Sequence, residues 1–415
     1  MTKLEKTYLI QNIGVFLLII GYFRLPVSTF LTGAILGFGA LIYRWKFLRV
    51  RPDILSLKLW QPLGLMVFFA ICLFLSSIHG TNPQLSMEAA RSQVHWWRPC
   101  LFLLVLFNNR RSFYQAVCGA FTVGLLVLLI DARASLQLYL AHKRMFVDGG
   151  FMNHNLFAAF LNLVLPWTAV GICKYTQHKL VRCAGLLVVL AGVAAVGLSG
   201  SRGGLVSLAV ALILLVLVQK VSWRYLAVGG LVLLLLGGVV VQNDKLAKRL
   251  FYLQGKTDSV AAAQQQVHAK ESGRFYVWQG AWNMFKDNQL WGVGLYNFNA
   301  NYKNKYMLKD AREPELEHAH NTILQRLAET GLIGSLGFWV LLIYQLVYLF
   351  RNRNCGEHHY IVLAGLMAMI VALSHGMVDY FFGLALYNRI FWMQWSVCYC
   401  CGAAGKLQEP VRKEV

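Results

Sequence analysis

Three observations on the sequence predict an all-α protein that crosses a membrane many times. Hydrophobic residues make up 57% of the 415 residues and charged residues only 14%, whereas about a quarter of the residues in a soluble domain are charged. The apolar residues form long runs, of which 205–218 is the purest, and a transmembrane helix needs about 20 such residues. Lysine and arginine are dense in some connecting segments and sparse in others.

The apolar runs predict about twelve transmembrane helices. Most of them are joined by short polar segments, and the fourth run is shorter than a full crossing requires. The predicted spans are residues 8–23, 26–43, 59–78, 95–107, 113–138, 152–173, 180–198, 203–219, 224–241, 321–350, 359–378 and 384–403.

The distribution of positive charge predicts the orientation of these helices, because cytoplasmic loops of membrane proteins are rich in lysine and arginine. Segments 44–58 and 174–182 are rich, and the loops that hold Arg24, Arg91 and Arg202 are poor. We therefore expect an inner-membrane protein with both termini in the cytoplasm. The same rule accounts for the formal net charge of +21, so we expect no nucleic-acid partner.

This topology divides the chain into three regions. Residues 1–241 are predicted to hold transmembrane helices 1–9, residues 242–320 a large periplasmic loop that contains helices, and residues 321–415 transmembrane helices 10–12 and a cytoplasmic tail. Within the loop, residues 273–286 carry four aromatic residues at helical spacing. This amphipathic helix is expected either to lie on the membrane surface or to pack against the bundle.

Three predicted spans begin at the periplasmic face with polar sequences. Residues 153–155 read Asn-His-Asn, residues 199–204 read Ser-Gly-Ser-Arg-Gly-Gly, and residues 318–321 read His-Ala-His-Asn. Helix N-termini present free N–H groups and the positive end of the helix dipole, and both attract anions. If these spans are neighbours in the bundle, their termini form a phosphate site. The residues expected to bind substrate at this face are Asn153, His154, His318, Asn321 and Asp379.

Two arginines are candidates for binding the phosphate, because arginine stays charged and can donate two parallel hydrogen bonds. Arg202 lies among glycines, which let a phosphate approach the backbone. Arg274 opens the amphipathic stretch. The alternatives are that Arg202 reaches lipid headgroups and that Arg274 is an ordinary loop residue.

His320 is the candidate general base. A histidine beside a helix N-terminus tends to stay neutral and able to accept a proton. The alternative is a histidine that only hydrogen-bonds at the interface. Asp379 lies at the outer end of the eleventh predicted span, where it could act on a substrate, cap the helix or pair with Arg389.

No metal or other cofactor is predicted. Glu313, Glu315, Glu317, His318 and His320 lie close together in the sequence, and the two histidines would share one face of an extended segment. However, the spacings typical of zinc sites are absent, and so is the D-x-D pair that holds Mg²⁺ at a diphosphate.

Three stretches of the chain resemble the O-antigen ligase and polymerase superfamily. The most specific joins His320-Asn321, nine further residues and the segment Gly331–Gly334. The others are LSGSRGGL around Arg202 and GRFYVWQGAWNMFKDNQLWGVGLYNF, which contains Arg274. The resemblance covers residues 150–415 well and the first third of the chain by topology. One departure is the Asn-His-Asn at 153–155, where relatives often have Asn-Pro-Asn.

The resemblance implies a metal-independent glycosyltransferase with a membrane-embedded, GT-C-like helical fold. The implied donor is an O-antigen glycan on undecaprenyl diphosphate, the implied acceptor is a sugar hydroxyl of lipid A-core, and both reach a periplasmic site from the surrounding membrane lipids. The essential histidine of the family falls on His320, and its two essential arginines fall on Arg202 and Arg274.

Two other functions stay open at this point. An O-antigen polymerase or a protein O-oligosaccharyltransferase would use the same donor with a different acceptor, and the His-Asn pair favours a ligase or an oligosaccharyltransferase over a polymerase. A transporter of lipid-linked glycans would place ionisable groups near the bilayer midplane and often shows inverted repeats. The sequence shows neither feature clearly.

Overall fold

All the regular secondary structure in the described part of the chain is helical. A computed structural model describes residues 1–141, 143–151, 153–219, 260–309, 311 and 313–412. The helices are α1 Lys3–Ile20, α2 Val27–Lys46, α3 Trp60–Ile78, α4 Pro83–His95, α5 Arg98–Leu106, α6 Arg111–Asp131, α7 Arg133–Leu140, α8 His154–Val170, α9 Lys179–Leu198, α10 Arg202–Gln219, α11 Val260–Asp287, α12 Phe298–Asn301, α13 Thr322–Arg351, α14 His359–Gly376 and α15 Ala385–Arg412.

Seven helices in the described ranges are long and apolar enough to cross a membrane. They are α2, α3, α6, α8 with its extension to Tyr175, α9, α13 and α14 with the turn that precedes it. Helix α10 is apolar as well but shorter. The chain is therefore a multi-pass membrane protein, as its composition predicts.

The helices differ from the predicted spans in several places. Helices α1 and α15 fall on the predicted spans 8–23 and 384–403 but are not among the seven. Helix α5 has nine residues and is roughly 14 Å long, too short to cross a hydrocarbon core of about 30 Å by itself. The polar helix α4, begun by the N-cap Asn82, lies where no span was predicted, because its sequence lacks an apolar run. The predicted span 113–138 is divided at Ala132 into α6 and α7. The predicted span 224–241 lies outside the described residues.

The packing of the bundle brings three helix N-termini to one end. Helix α14 packs against both α8 and α10. Near the start of α10, the carbonyl of Gly204 accepts a hydrogen bond from Asn162 Nδ2 of α8 (2.8 Å). At the start of α13, Asn321 Nδ2 donates to the carbonyl of Met377, just beyond α14 (2.8 Å). The spans whose N-termini carry the polar sequences are therefore neighbours, which the phosphate-site prediction requires.

The predicted amphipathic stretch 273–286 lies in helix α11, and one face of this helix is buried. Its buried stripe consists of Val277, Ala281 and Met284. Of the four aromatic residues at helical spacing, Phe275 is 59% exposed and Trp282 is 42% exposed. The helix thus packs through aliphatic residues and leaves part of its aromatic face uncovered.

A backbone joint connects the end of α11 to the middle of α13. Helix α13 is broken at Gly331, which has φ 57° and ψ −160°. A break frees backbone groups that need new partners. The loop after α11 supplies them through four hydrogen bonds: Val293 N to Ala328 O (2.9 Å), Gly294 N to Glu329 O (2.8 Å), Leu332 N to Gln289 O (2.8 Å) and Ile333 N to Leu290 O (3.2 Å).

The glycines of this joint permit the close approach of two backbones. A Cβ atom at Gly331 would lie 2.5 Å from the carbonyl carbon of Leu290, and one at Gly292 would lie 2.4 Å from the carbonyl carbon of Glu329. Both distances are far below van der Waals contact, and both glycines have positive φ. The joint therefore gives a physical reason for the glycines in both motif stretches.

Candidate functional site

The centre of the site is a hydrogen-bonded pair formed by His320 and Asp379. Nδ1 of His320 lies 3.0 Å from Oδ1 of Asp379. An ionised carboxylate can only accept hydrogen bonds, so Nδ1 of His320 carries the hydrogen, and in the neutral imidazole the lone pair is then on Nε2. The alternative partner of Asp379, Arg389, instead lies over the ring of Tyr22. This geometry is that of a histidine whose tautomer is set by a buried acid.

The charge of Asp379 is stabilised even though its side chain is only 2% exposed. Burial alone would raise the pKa of this carboxyl group. The hydrogen bond from His320, the electrostatic interactions with His320 and His318, and the amide of Tyr380 outweigh burial and hold the pKa well below its usual value. Asp379 is therefore a carboxylate at neutral pH and a steady acceptor for the imidazole N–H.

The backbone around His320 is held in a conformation that few residues adopt. His320 has φ 48°, in the left-handed region. The next residue, Asn321, is the N-cap of α13, since its Oδ1 accepts hydrogen bonds from the amides of Ile323 (2.9 Å) and Leu324 (3.0 Å). Strained backbone that is fixed by its surroundings is typical of functional sites. The N-cap fixes the point at which the chain turns and so fixes the direction of the His320 side chain.

His318 lies beside His320, with ring centroids 4.3 Å apart. Its Nδ1 accepts a hydrogen bond from the backbone amide of His320 (3.3 Å). Burial and the neighbouring His320 lower the pKa of His318 to about 4, against the opposing effect of Asp379. His318 is therefore neutral at pH 7 and can bind an uncharged polar group.

A buried histidine that the sequence did not single out, His375, lies near the predicted basic residues. A Cβ atom at Gly203, which follows Arg202, would lie 2.9 Å from Nε2 of His375. The charges of Arg274 and His154 also act on the His375 ring, as does that of Asp379. The structure thus brings Arg202, Arg274 and His154 to the neighbourhood of the His320–Asp379 pair. We call these three residues, with His375, the basic cluster.

His375 could have been found from the sequence by one signal. It is an ionisable residue near the end of a predicted span, and such residues are costly in membranes unless they are functional or paired. It lies four residues before Asp379, one turn of helix away. Sequence alone does not show that the start of α10 packs against it.

A cavity of about 700 Å³ opens beside His318. Asn153, the N-cap of α8, lines it, so this predicted residue also lies near the pair. The lining includes His318, Tyr380, Glu317, Glu329, Gln325 and Asn153. We call this space the His318 cavity.

The described residues contain one group that could hold a metal ion. His318, His320 and Asp379 each offer a ligand atom, and these atoms lie within 4.8 Å of one another. However, Nδ1 of His320 and Oδ1 of Asp379 already satisfy each other by a hydrogen bond. Metal binding through those two atoms would need that bond to break, so a metal ion held by them would compete with the hydrogen bond that orients the imidazole.

The fold and the site together define a class of protein: a multi-pass membrane protein with an oriented histidine and a basic cluster at one end of its helix bundle. The sequence model of the O-antigen ligase family matches residues 186–339, which contain Arg202, Arg274 and His320. This match supports the assignment of residues 186–339 to the O-antigen ligase family, as the motif stretches predict. No curated protein matches the chain significantly. The family indicates a membrane glycosyltransferase of the O-antigen ligase and polymerase type.

Proposed function

We propose that the protein is an O-antigen ligase. It would transfer a glycan from undecaprenyl diphosphate to a sugar hydroxyl of lipid A-core at the periplasmic side of the inner membrane. The observation that carries this proposal is the His320–Asp379 pair, placed beside a basic cluster at the end of the bundle where three helix N-termini meet. It combines a proton acceptor with a site for an anionic leaving group.

His320 acts as the general base in this proposal. An acceptor hydroxyl is a weak nucleophile, and Nε2 of His320 removes its proton as the hydroxyl oxygen attacks the anomeric carbon. Asp379 holds the imidazole in the tautomer that leaves Nε2 unprotonated and stabilises the imidazolium that forms. A positioned general base contributes about 10²–10⁴-fold to the rate.

Arg202 and Arg274 stabilise the leaving group. As the bond between the anomeric carbon and the diphosphate oxygen breaks, its electrons pass to undecaprenyl diphosphate, which gains negative charge. Guanidinium groups and helix N-termini aimed at that charge stabilise the transition state electrostatically, without a metal ion. A single displacement inverts the configuration at the anomeric carbon.

The proposed topology follows the sequence prediction of about twelve transmembrane helices. Helices 1–9 would lie in residues 1–241, a large periplasmic loop in 242–320, and helices 10–12 with the tail in 321–415, with both termini in the cytoplasm. Support comes from the common end at which α8, α10 and α13 begin. Both substrates would then reach the site laterally from the outer leaflet.

Reconstituted transfer tests this function. Purified protein is mixed with lipid-linked O-antigen and lipid A-core, with and without a chelator, and the product is followed by its gel mobility. We expect transfer in both conditions and its loss in His320→Ala. No transfer to lipid A-core would refute the ligase assignment, and loss in chelator would refute the metal-free mechanism. Parallel reactions with a free glycan chain and a peptide as acceptors identify a polymerase or an oligosaccharyltransferase.

A further inference from the structure

The His318 cavity has a lining unlike that of the basic cluster. Carboxylates, amides and phenols line it, and neither lysine nor arginine is among its lining residues in the described chain. Arg202 and Arg274 therefore lie outside it. A space with many hydrogen-bonding groups and no cation suits a polar uncharged ligand better than a diphosphate.

Tyr380 carries an unused hydrogen-bonding group in this cavity. Its side chain is 6% exposed and lines the cavity. Among the residues that the structure describes, none receives or supplies a hydrogen bond at its hydroxyl group. Burial raises the pKa of Tyr380 above its usual value, so the hydroxyl keeps its proton. A hydroxyl that lines the cavity can donate a hydrogen bond to a ligand hydroxyl there.

The carboxylates of the cavity differ in how far their charges are compensated. Glu329 is buried, which disfavours its charge, and the nearby charge of Arg326 opposes this effect of burial. At the rim, Glu315 forms an ion pair with Lys303. Glu317 makes no ion pair or hydrogen bond with any described residue. The rim thus presents one uncompensated negative charge to an entering ligand.

We propose that the His318 cavity is the acceptor subsite, that Tyr380 binds a hydroxyl of an uncharged acceptor sugar there, and that Glu317 disfavours acceptors with a phosphate at that sugar. This inference rests on the proposed transferase function and adds the acceptor's position and class. A sugar in the cavity lies against His318, whose ring is 4.3 Å from that of His320, so one of its hydroxyls can reach the base. The two substrates thus occupy separate places: the acceptor in the cavity and the diphosphate at the basic cluster.

Binding without chemistry tests the subsite first. The probe is a lipid-free core oligosaccharide with uncharged terminal hexoses, observed by saturation-transfer NMR with the full-length protein in nanodiscs and no donor. We expect the terminal hexose signals to weaken several-fold in Tyr380→Phe. Tyr344→Phe is the matched control, because its hydroxyl bonds Gln61 at an exposed position (3.4 Å). Equal signals in Tyr380→Phe and wild type would overturn the subsite.

Steady-state transfer tests the selectivity. We expect Tyr380→Phe to raise the acceptor KM about tenfold, as for loss of one hydrogen bond, with the donor KM unchanged. Glu317→Gln should improve kcat/KM for the same oligosaccharide carrying a terminal phosphate, and Glu88→Gln, an exposed carboxylate on α4, should not. A rise in donor KM alone would overturn the assignment to the acceptor, and an unchanged preference in Glu317→Gln would overturn the role of Glu317.

The two experiments separate this inference from the ligase proposal. If saccharide binding depends on Tyr380 but no transfer occurs, the subsite stands and the transferase function fails. If transfer occurs and neither Tyr380 nor Glu317 affects acceptor binding or choice, the function stands and the subsite fails.

Discussion

The His320–Asp379 pair and the basic cluster lie at the same end of the bundle but are built differently. The pair is fixed by a direct hydrogen bond of 3.0 Å and by the N-cap at Asn321. The cluster comes from helices α8, α10, α11 and α14 and includes the buried His375. Proton transfer needs hydrogen-bond geometry within a few tenths of an ångström, whereas an anion can be stabilised by charges from several directions. The difference matches the two tasks of the proposed reaction.

The largest effect on activity is expected from a variant that breaks the His320–Asp379 pair. Asp379→Asn keeps the volume of the side chain but lets its amide donate to the imidazole, which favours the wrong tautomer. We expect kcat to fall about 10²–10⁴-fold with little change in donor KM. Asp131→Asn is the control, since that aspartate forms a half-exposed ion pair with Arg24, a kind of pair that contributes little. A variant Asp379→Asn with wild-type kcat would show that the acid does not position the base.

The next largest effect is expected from variants that weaken the basic cluster but keep its charge. Arg202→Lys and Arg274→Lys each replace a two-pronged donor by a point charge. We expect kcat/KM for the lipid-linked donor to fall about 10–100-fold, because a charge-assisted hydrogen bond contributes about 1.5–3 kcal/mol, with acceptor KM unchanged. Arg91→Lys, at an exposed position on α4, serves as the control. Wild-type donor kinetics in both variants would contradict a phosphate role.

A smaller effect is expected from changes in the joint between α11 and α13. This joint connects the two regions of the site, because α11 carries Arg274 of the basic cluster and α13 begins beside His320. Gly331→Ala introduces a Cβ at positive φ that lies 2.5 Å from the Leu290 backbone. We expect a loss of about 1–3 kcal/mol of stability, measured as a lower Tm in nanodiscs. Gly39→Ala, which has open space around its Cβ on α2, should not be destabilised. An unchanged Tm in Gly331→Ala would show that the joint accommodates the added Cβ atom without loss of stability.

The smallest effect is a pH dependence of the pair's surroundings. The folded-state pKa of His318 is lowered to about 4 from 6.5, so between these values the unfolded chain binds more protons and stability rises with pH. Lowering the pH from 7.5 to 5.5 should therefore cost about 1 kcal/mol through His318. The Tm of wild type is compared with that of His318→Asn at each pH, and the change of this Tm difference between the two pH values measures the contribution of His318. A Tm difference that does not change with pH would contradict it.

The sequence predicted local features of the site better than its long-range contacts. Asn321 falls at the start of a predicted span, and its role as a helix N-cap is local because capping depends on the next three residues. The partner of Asp379 was not predicted, because His320 is 59 positions away and Arg389 was nearer in sequence. Tyr380 and His375 were missed for the same reason: their roles depend on which helices pack together. Helix α4 was missed because its polar sequence gives no hydropathy signal.

For the fold too, local features were predicted and long-range contacts were not. Apolar runs predicted the long helices, since burial in lipid requires such runs. The break in α13 was not predicted, because the predicted span 321–350 runs through Gly331 and only the inserted loop explains it. The motif glycines could be read from the sequence. The reason for them, a close contact between two backbone segments, is seen only in the structure.

The joint between α11 and α13 also bears on how this domain can be recombined with relatives. Four backbone hydrogen bonds tie residues 289–294 to residues 328–333, so the two motif stretches form one unit although they are separate in the sequence. A chimera that takes 318–334 from one protein and 288–298 from another would join surfaces that did not evolve together. Exchange experiments aimed at acceptor choice should therefore move both stretches as a single cassette.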